Sequence, residues 1–246
     1  MREIRYRSIA GELRRRIEGG EIPAGGLLPS EAELSEAYGV SRVTVRKALE
    51  LLRSEGVASA RQGLGWFVAV EPLRQALGRL GTIEDQLQAS GRHPERRVLD
   101  FGFVPAPARV GAVLGCDEVL RVSRLNLADG IPFARVTVWV PAPLGSALSR
   151  DDVERATFYD LLGIPLGRAA QTIGAAAAGR EDAGLLAVAP GSPVLRCERI
   201  TYAADGRALI FAEHVFPADR TEFVVDLASA PEASIAPSGL RLVEAD

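Results

Sequence analysis

Residues 28–68, which read LPSEAELSEAYGVSRVTVRKALELLRSEGVASARQGLGWFV, decide the expected fold of the first part of the chain. Ser30 and Glu33 have the S-x-x-E spacing of a capping box, so a helix should begin here and end near Gly39. Ser41 is a second N-cap candidate and should start a longer helix. Two helices joined by a short turn with a glycine form a helix-turn-helix, whose second helix can enter the major groove of DNA.

The longer helix has one apolar face and one polar face. Its apolar residues follow the spacing i, i+3, i+4 and i+7 of a core-facing stripe: Val45, Ala48, Leu49 and Leu52. The first turn and the opposite side carry Arg42, Val43, Arg46, Lys47 and Glu50. These positions are candidate DNA contacts, although the solvated face of an ordinary surface helix would show the same charges.

The segments on either side complete a small domain. Ile9, Leu13 and Ile17 are four residues apart and predict an amphipathic helix before the quoted stretch. Residues 57–69 predict two short strands around the turn at residues 62–65, whose glycines permit a positive φ. Three helices followed by such a hairpin form a winged helix-turn-helix.

The motifs of this head resemble the GntR family of bacterial transcription regulators. The matching strings are LPSE at residues 28–31, GVSR at 39–42, TVRKAL at 44–49 and RQGLGWFV at 61–68. The DNA-binding residues that the resemblance implies are Ser30, Glu31, Ser41, Arg42, Thr44, Arg46, Lys47, Arg61, Gln62 and Gly63. Their chemistry suits these roles, because arginine can fork to guanine, hydroxyls bind phosphate and a glycine tip fits a narrow minor groove. Ala32 stands where some family members place a DNA-contacting arginine, which leaves the operator sequence open.

Beyond residue 80 the pattern changes to strands with short helices between them. Strands are expected over residues 97–104, 119–127, 132–140, 168–176, 194–202 and 209–216, and helices over 108–114, 151–162 and 180–188. Asp129-Gly130 and Asp205-Gly206 are hairpin signals, which favour an antiparallel sheet over a βαβ fold. The expected fold class is therefore α+β, with an N-terminal winged helix-turn-helix and a C-terminal antiparallel-sheet domain.

This second part is similar to the UTRA effector domain of the HutC-type branch of the GntR family, whose fold resembles chorismate lyase. The similar stretches include residues 125–132, 157–162 and 191–199, and residues 91–97 look closest to regulators of phosphonate metabolism. The resemblance implies a DNA-binding domain at residues 1–70, a linker at 71–81 and an effector-binding and dimerisation domain at 82–246. The implied partners are a palindromic double-stranded DNA operator, a small-molecule effector and a second copy of the chain.

The resemblance also implies a pocket for a small anion such as a phosphonate or a sugar phosphate. Its implied contacts are Thr82, Arg124, Asn126, Thr157 and Tyr159. Hydroxyls at helix N-termini and an arginine suit an anion, although an ordinary salt bridge would also account for Arg124. Ile210 stands where the family places a glutamate, and Asn126 where sugar-phosphate sensors place a second arginine. The pocket is therefore expected to bind a smaller or less polar anion, or to have lost its ligand.

Composition narrows the class of protein. The chain has 246 residues and a net charge of −3, of which residues 1–70 contribute +2 from 11 basic and 9 acidic residues, and the remainder −5. A weakly basic head is a weak sign of a polyanionic partner. No apolar run is long enough for a membrane span, and two widely separated cysteines favour the reducing cytoplasm.

Enzymatic functions find little support in the sequence. Lys47 is the only lysine and lies on the recognition helix, which excludes a Schiff base with pyridoxal phosphate. His93 and His214 lack metal-ligand spacing, so packed or solvated histidines are the better interpretation and neither a metal nor a cofactor is expected. The sequence therefore predicts a non-enzymatic transcription regulator that acts as a repressor. The alternative is a small-molecule binding or lyase-like domain with a vestigial DNA-binding head.

Overall fold

The computed structural model describes residues 2–61, 63–70, 73–76, 87 and 91–225. Its first part is a bundle of three helices followed by a β-hairpin. The elements are α1 (Arg2–Glu18), α2 (Glu31–Tyr38), α3 (Arg42–Ser54), β1 (Ala58–Arg61) and β2 (Gly65–Val68). The two strands pair antiparallel. The winged helix-turn-helix predicted from the sequence is therefore confirmed.

Both helices of the helix-turn-helix begin at the predicted caps. Ser30 Oγ accepts from the backbone N–H of Glu33 at 3.2 Å, and the Glu33 carboxylate accepts from the Ser30 N–H at 2.8 Å. Ser41 Oγ accepts from the backbone N–H of Thr44 at 3.4 Å. Gly39 ends α2 in the left-handed region with φ 59°, which glycine adopts without a Cβ clash. These local bonds set the short turn between α2 and α3.

The head closes around a core of its own. Its buried side chains include Ile9, Leu13, Leu28, Leu34, Val45, Ala48, Leu49, Leu52, Trp66 and Val68. The four α3 positions with core-facing spacing are all fully buried, whereas Val43 on the opposite side is 68% exposed. The predicted orientation of α3 is therefore confirmed.

The second part is built on a six-stranded antiparallel sheet. The strands are β4 (Pro94–Pro105), β5 (Glu118–Ala128), β6 (Ile131–Pro141), β7 (Leu166–Ala177), β8 (Pro193–Ala203) and β9 (Ala208–Pro217). Their order across the sheet is β4-β5-β6-β9-β8-β7. Every neighbouring pair is antiparallel, and both Asp-Gly pairs lie in hairpin turns. The α+β fold class is confirmed.

The helices of this part are short, and one prediction about them is wrong. They are α4 (Ala108–Leu114), α5 (Ala142–Gly145), α6 (Arg150–Arg155), α7 (Phe158–Leu162) and α8 (Arg180–Leu185). The single helix expected over residues 151–162 is two helices, because Ala156 is extended with φ −127° and ψ 164°. Thr157 then starts α7 afresh by accepting from the Asp160 N–H at 3.2 Å.

A parallel strand pair lies outside the large sheet. It consists of β3 (Leu73–Ala76) and β10 (Thr221–Val224). β3 falls within the stretch expected to be a linker, so part of that stretch is a strand whose partner is remote in sequence. The other residues of the expected linker, 71–72 and 77–81, lie outside the described residues.

The two faces of the sheet are covered differently. On one face, side chains of α6 and α7 such as Val153 and Phe158 pack on the central strands. On the other face, Val110 and Leu114 of α4 pack near Trp139 and Phe211. The first face also carries a set of polar side chains between its apolar residues, and these form the candidate effector site.

Candidate DNA-binding surface and effector pocket

The exposed side of α3 carries an arginine that is held in place by α2. Arg46 Nε donates to Glu31 Oε1 at 2.8 Å, and its Nη2 donates to Glu31 Oε2 at 2.7 Å. Trp66 Nε1 in the wing donates to Glu31 Oε1 at 3.4 Å. The Arg46 side chain nevertheless stays 65% exposed, against 21% for Glu31. The bridge therefore aligns the guanidinium without removing it from solvent.

This bridge also affects the ionisation of both partners. The hydrogen bonds from Arg46 lower the pKa of Glu31 below its ordinary value, and burial opposes this only partly. The hydrogen bonds to Glu31 raise the pKa of Arg46. Both groups therefore carry their full charges at neutral pH, which keeps the two-point contact intact.

A groove follows the same side of α3. It is lined by Tyr6, Ser41, Val43, Thr44, Lys47, Glu50, Leu51 and Ser54. Lys47 is exposed along it, and the two hydroxyls of Ser41 and Thr44 lie 3.0 Å apart. Three predicted contacts, Ser41, Thr44 and Lys47, thus line one groove, and Arg42 and Arg46 are exposed on α3 outside its lining. Ser30 and Ser41 also act as helix caps, so their hydroxyls have a structural role besides the predicted one.

Two of the predicted wing contacts, Gly63 and Arg61, lie in different environments. Gly63 lies at the exposed tip of the hairpin with φ +76°, and a Cβ built there would meet nothing within 4 Å. Gln62 lies outside the described residues. The Arg61 side chain is only 9% exposed and points to the second domain, where its Nη1 donates to the carbonyl oxygen of Ala187 at 3.0 Å. In this arrangement Arg61 is turned away from the open side of the head.

The candidate effector contacts lie on the polar face of the large sheet. Arg124 on β5 pairs in register with Val136 on β6, which pairs with His214 on β9, which in turn pairs with Cys197 on β8. Arg199 follows Cys197 by two residues and therefore points to the same face. The sheet register thus brings two arginines and a histidine to one side of the domain.

Arg124 is held by helices that cover this face. It is 7% exposed, its Nη1 donates to the carbonyl oxygen of Val153 at 3.2 Å, and its guanidinium carbon lies 5.5 Å from the ring centroid of Phe158. Asn126, two residues further along β5, is 3% exposed and points to the same face. These two predicted contacts are both buried polar residues inside the domain rather than members of a surface salt bridge.

The two predicted contacts at the start of α7 already have partners within the protein. Thr157, the N-cap of α7, also donates from its Oγ1 to the Asp160 carboxylate at 2.7 Å. The Tyr159 hydroxyl lies 3.3 Å from Thr201 Oγ1 on β8, where either oxygen can donate. Thr201 pairs in register with Ile210, so Ile210 lies at the Tyr159 end of the face. Thr82 lies outside the described residues.

Sequence reasoning missed His214 and Arg199 as members of this site. His214 Nδ1 is buried and has no hydrogen-bond partner among the described residues, although part of the residue reaches the surface. Burial, together with the charges of Arg199 and Arg124, lowers the pKa of His214 from 6.5 to about 3. The imidazole is therefore neutral at physiological pH. The alternation of residues along β8 and β9 was the available signal, but it shows the site only once the strand order is known.

Other chemistry finds no support within the described residues. Among them, no group of three or more His, Cys, Asp and Glu side chains is arranged to hold a metal ion. Burial raises the pKa of the Cys197 thiol to about 11, so it is not a reactive thiolate at neutral pH. No helix in the described ranges has the length and apolar character needed to cross a membrane.

Comparison with known proteins gives matches along both parts of the chain. The model of bacterial regulatory proteins of the gntR family matches residues 5–68, and the UTRA domain model matches residues 89–222. The HTH-type transcriptional repressor NagR of Bacillus subtilis is 33% identical over 226 residues, which cover 89% of this chain and 93% of that protein. The mannosyl-D-glycerate transport/metabolism system repressor MngR of Escherichia coli is 29% identical over 228 residues, with coverage of 89% and 94%. The crystal structure of PhnF from Mycobacterium smegmatis superposes with a TM-score of 0.62 at 28% identity, covering 90% of this chain and 99% of that one.

Proposed function

This chain belongs to the GntR family of bacterial regulatory proteins and carries a UTRA domain, and from that premise we propose that it is a repressor that binds a palindromic operator as a homodimer and responds to a small anion. The observation that carries the proposal is the exposed Arg46, held by two hydrogen bonds to Glu31 on the outer face of α3. The side chain of Arg46 is therefore already oriented in the absence of DNA, which favours its contact with a base edge.

The DNA-binding part of the proposal uses the surface of α3. Arg42 lies in the first turn of the helix and Arg46 one turn later, so both can reach one major groove. Lys47 on the adjoining side suits a phosphate. Two heads related by a two-fold axis would place two such helices on successive half-sites of an operator.

The effector part of the proposal uses the polar face of the large sheet. Arg124 and Arg199 supply positive charge for an anion, and the neutral His214 offers a ring nitrogen that can accept a hydrogen bond. We propose that the effector carries an anionic group and, near it, a hydroxyl or an amine that donates to His214. The relative MngR is named for mannosyl-D-glycerate, whose carboxylate and hydroxyls fit this chemical class.

The test compares two arginines of the same helix. Duplex operators are first selected from a random library with the unaltered protein, and affinities are then measured by fluorescence anisotropy. Arg46→Ala should weaken operator binding by roughly 10-fold or more, because a bidentate arginine–guanine contact contributes about 1–3 kcal/mol. The control is Arg53→Ala, which removes an equally charged side chain that pairs with Glu50 at the other end of α3.

Two results would count against the proposed function. One is an Arg46→Ala variant that is folded and binds the operator as the unaltered protein does. The other is an affinity that does not fall as salt is raised from 50 to about 200 mM, because neutralising phosphates releases counterions and makes binding strongly salt dependent.

A further inference from the structure

Three turns of the UTRA domain meet the DNA-binding head beside its wing. The β5–β6 turn contributes Ile131, which lies so close to Gly25 of the head that a Cβ built on the glycine would be 2.7 Å from Ile131 Cδ1. The α8–β8 loop contributes Ala187, and the β9–β10 turn contributes Asp219. We call Ile131, Ala187 and Asp219 the docking surface.

Arg61 at the end of β1 is the head residue at the centre of this contact. Its Nη1 donates to the carbonyl oxygen of Ala187 at 3.0 Å, and its Nε lies 3.4 Å from the Asp219 carboxylate. Its guanidinium carbon also lies 4.1 Å from the ring centroid of Phe67 on β2, within cation–π distance. Ala187 presents its carbonyl from a left-handed conformation with φ 50°, which is uncommon for a residue with a side chain.

Arg220 connects the three turns that carry the docking surface. Its Nη1 donates to the Pro132 carbonyl oxygen at 2.8 Å, and its Nη2 donates to the Leu186 carbonyl oxygen at 2.5 Å. Its side chain is 4% exposed, and its Nε lies 3.5 Å from the Asp219 carboxylate. One buried arginine therefore ties the three turns together at the place where the arginine of the wing arrives.

The charges in this contact do not balance. Arg61 and Arg220 share the single carboxylate of Asp219. Burial and the charge of Arg61 lower the pKa of Arg220 from its ordinary value to about 10, and burial also lowers the pKa of Arg61. Two partly desolvated cations thus share one anion, and the cost of desolvation offsets part of the gain from this contact, so a polyanion can compete with the docking surface for Arg61.

We infer that the docking surface captures the wing through Arg61 and competes with operator DNA for this arginine. The inference rests on the proposed function, together with the DNA contact that the family resemblance implies for Arg61. A guanidinium that is 9% exposed against Ala187 and Asp219 is not available to a phosphate, so the docked wing and the DNA-bound wing exclude each other. The UTRA domain thereby lowers the operator affinity of its own head.

The docking surface is also close in the chain to the proposed effector pocket. Asp219 follows β9, which carries His214 and Phe216 on the polar face. Phe216 stacks on His214 with ring centroids 5.7 Å apart and meets Phe223 of β10 at 5.6 Å. A ligand that repositions His214 would therefore act on the strand that ends at the docking surface.

The test measures operator affinity in a double-mutant cycle. Asp219→Asn weakens the hold on Arg61 while leaving every proposed DNA contact in place, so it should raise operator affinity by about 5-fold or more, the size of a typical coupling between sites. The same change in an Arg61→Ala background should have no effect, because nothing is left to release. Asp205→Asn is the matched control, since Asp205 is an aspartate of the β8–β9 turn that pairs with Arg207.

A second variant protects the test against misfolding, because Asp219→Asn leaves Arg220 without its carboxylate. Ile131→Ala removes the side-chain atoms that lie against Gly25. Because this weakens docking of the head, the variant should also raise operator affinity. The inference is overturned if folded Asp219→Asn and Ile131→Ala proteins bind as the unaltered protein does. It is equally overturned if Asp219→Asn gives the same gain in the Arg61→Ala background or no more than Asp205→Asn gives. Loss of binding in Arg46→Ala alongside these results would leave the proposed function standing.

Discussion

The guanidinium of Arg46 and the carboxylate of Glu31 form a two-point salt bridge between α3 and α2, with N–O distances of 2.8 and 2.7 Å. The contact joins two residues 15 positions apart on different helices of the helix-turn-helix. A two-point contact fixes the plane of a guanidinium as well as its position. Arg46, which is proposed to bind DNA, is therefore oriented by Glu31, whose side chain is much less exposed.

Replacing Glu31 should weaken DNA binding although it removes a negative charge. Glu31→Gln loses one charged partner of Arg46, so the guanidinium becomes mobile and must be ordered when DNA binds. We expect operator affinity to fall by about 3-fold to 10-fold, since ordering a long side chain costs about 0.5–1.5 kcal/mol. Glu36→Gln, which removes the same charge from an exposed position on α2, should leave affinity unchanged or raise it. An equal rise in both variants would contradict the positioning role of Glu31.

The cap of α2 should contribute measurably to the stability of the head. Ser30→Ala leaves the Glu33 N–H without its acceptor and should lower the free energy of unfolding by about 1 kcal/mol, the typical cost of losing such a cap. Urea unfolding followed by circular dichroism gives this difference. Ser8→Ala, at an exposed position of α1, is the matched control and should change little. A Ser30→Ala protein as stable as the control would show that the cap is dispensable.

His214 should make the effector domain sensitive to acid. Its pKa is about 3 in the folded protein against 6.5 when exposed, so the unfolded chain takes up the proton first. The stability that the neutral ring contributes is fully present above pH 6.5 and is lost as the pH falls from there towards 3. His214→Phe keeps a ring against Phe216 and should flatten the fall in melting temperature over this range. Identical slopes in the two proteins would mean that His214 does not hold its low pKa.

His214 should also decide which anions the pocket prefers. A useful pair of probes is 2-hydroxyethylphosphonate and ethylphosphonate, which carry the same charge and differ in a hydroxyl that can donate a hydrogen bond. We expect the unaltered protein to bind the hydroxyl-bearing probe about 5-fold more tightly, as one additional hydrogen bond contributes about 1 kcal/mol. Isothermal titration calorimetry should show this preference disappear in His214→Phe, while Arg124→Ala weakens both probes. A preference that survives in His214→Phe would remove the histidine from the site.

Much of the head could be predicted because its signals are local. The capping box joins residues three positions apart, and the core stripe of α3 repeats at helical spacing, so sequence and structure report the same contacts. The two Asp-Gly pairs are local signals as well, and they predicted the hairpins β5–β6 and β8–β9. The break before Thr157 was missed because a short helix and its successor share one apolar pattern, and only the extended backbone at Ala156 separates them.

The sequence by itself determined the winged head, the antiparallel character of the second domain and the outward face of α3, since hydrogen bonds and periodicities within a few residues specify each of them. Only the tertiary structure decided that Arg124, His214 and Arg199 share one face, because that depends on the order and register of β5, β6, β9 and β8. Only the tertiary structure decided the partner of Arg61, which lies 126 positions further along the chain. Contacts between distant segments depend on how whole elements pack, and no local pattern encodes them.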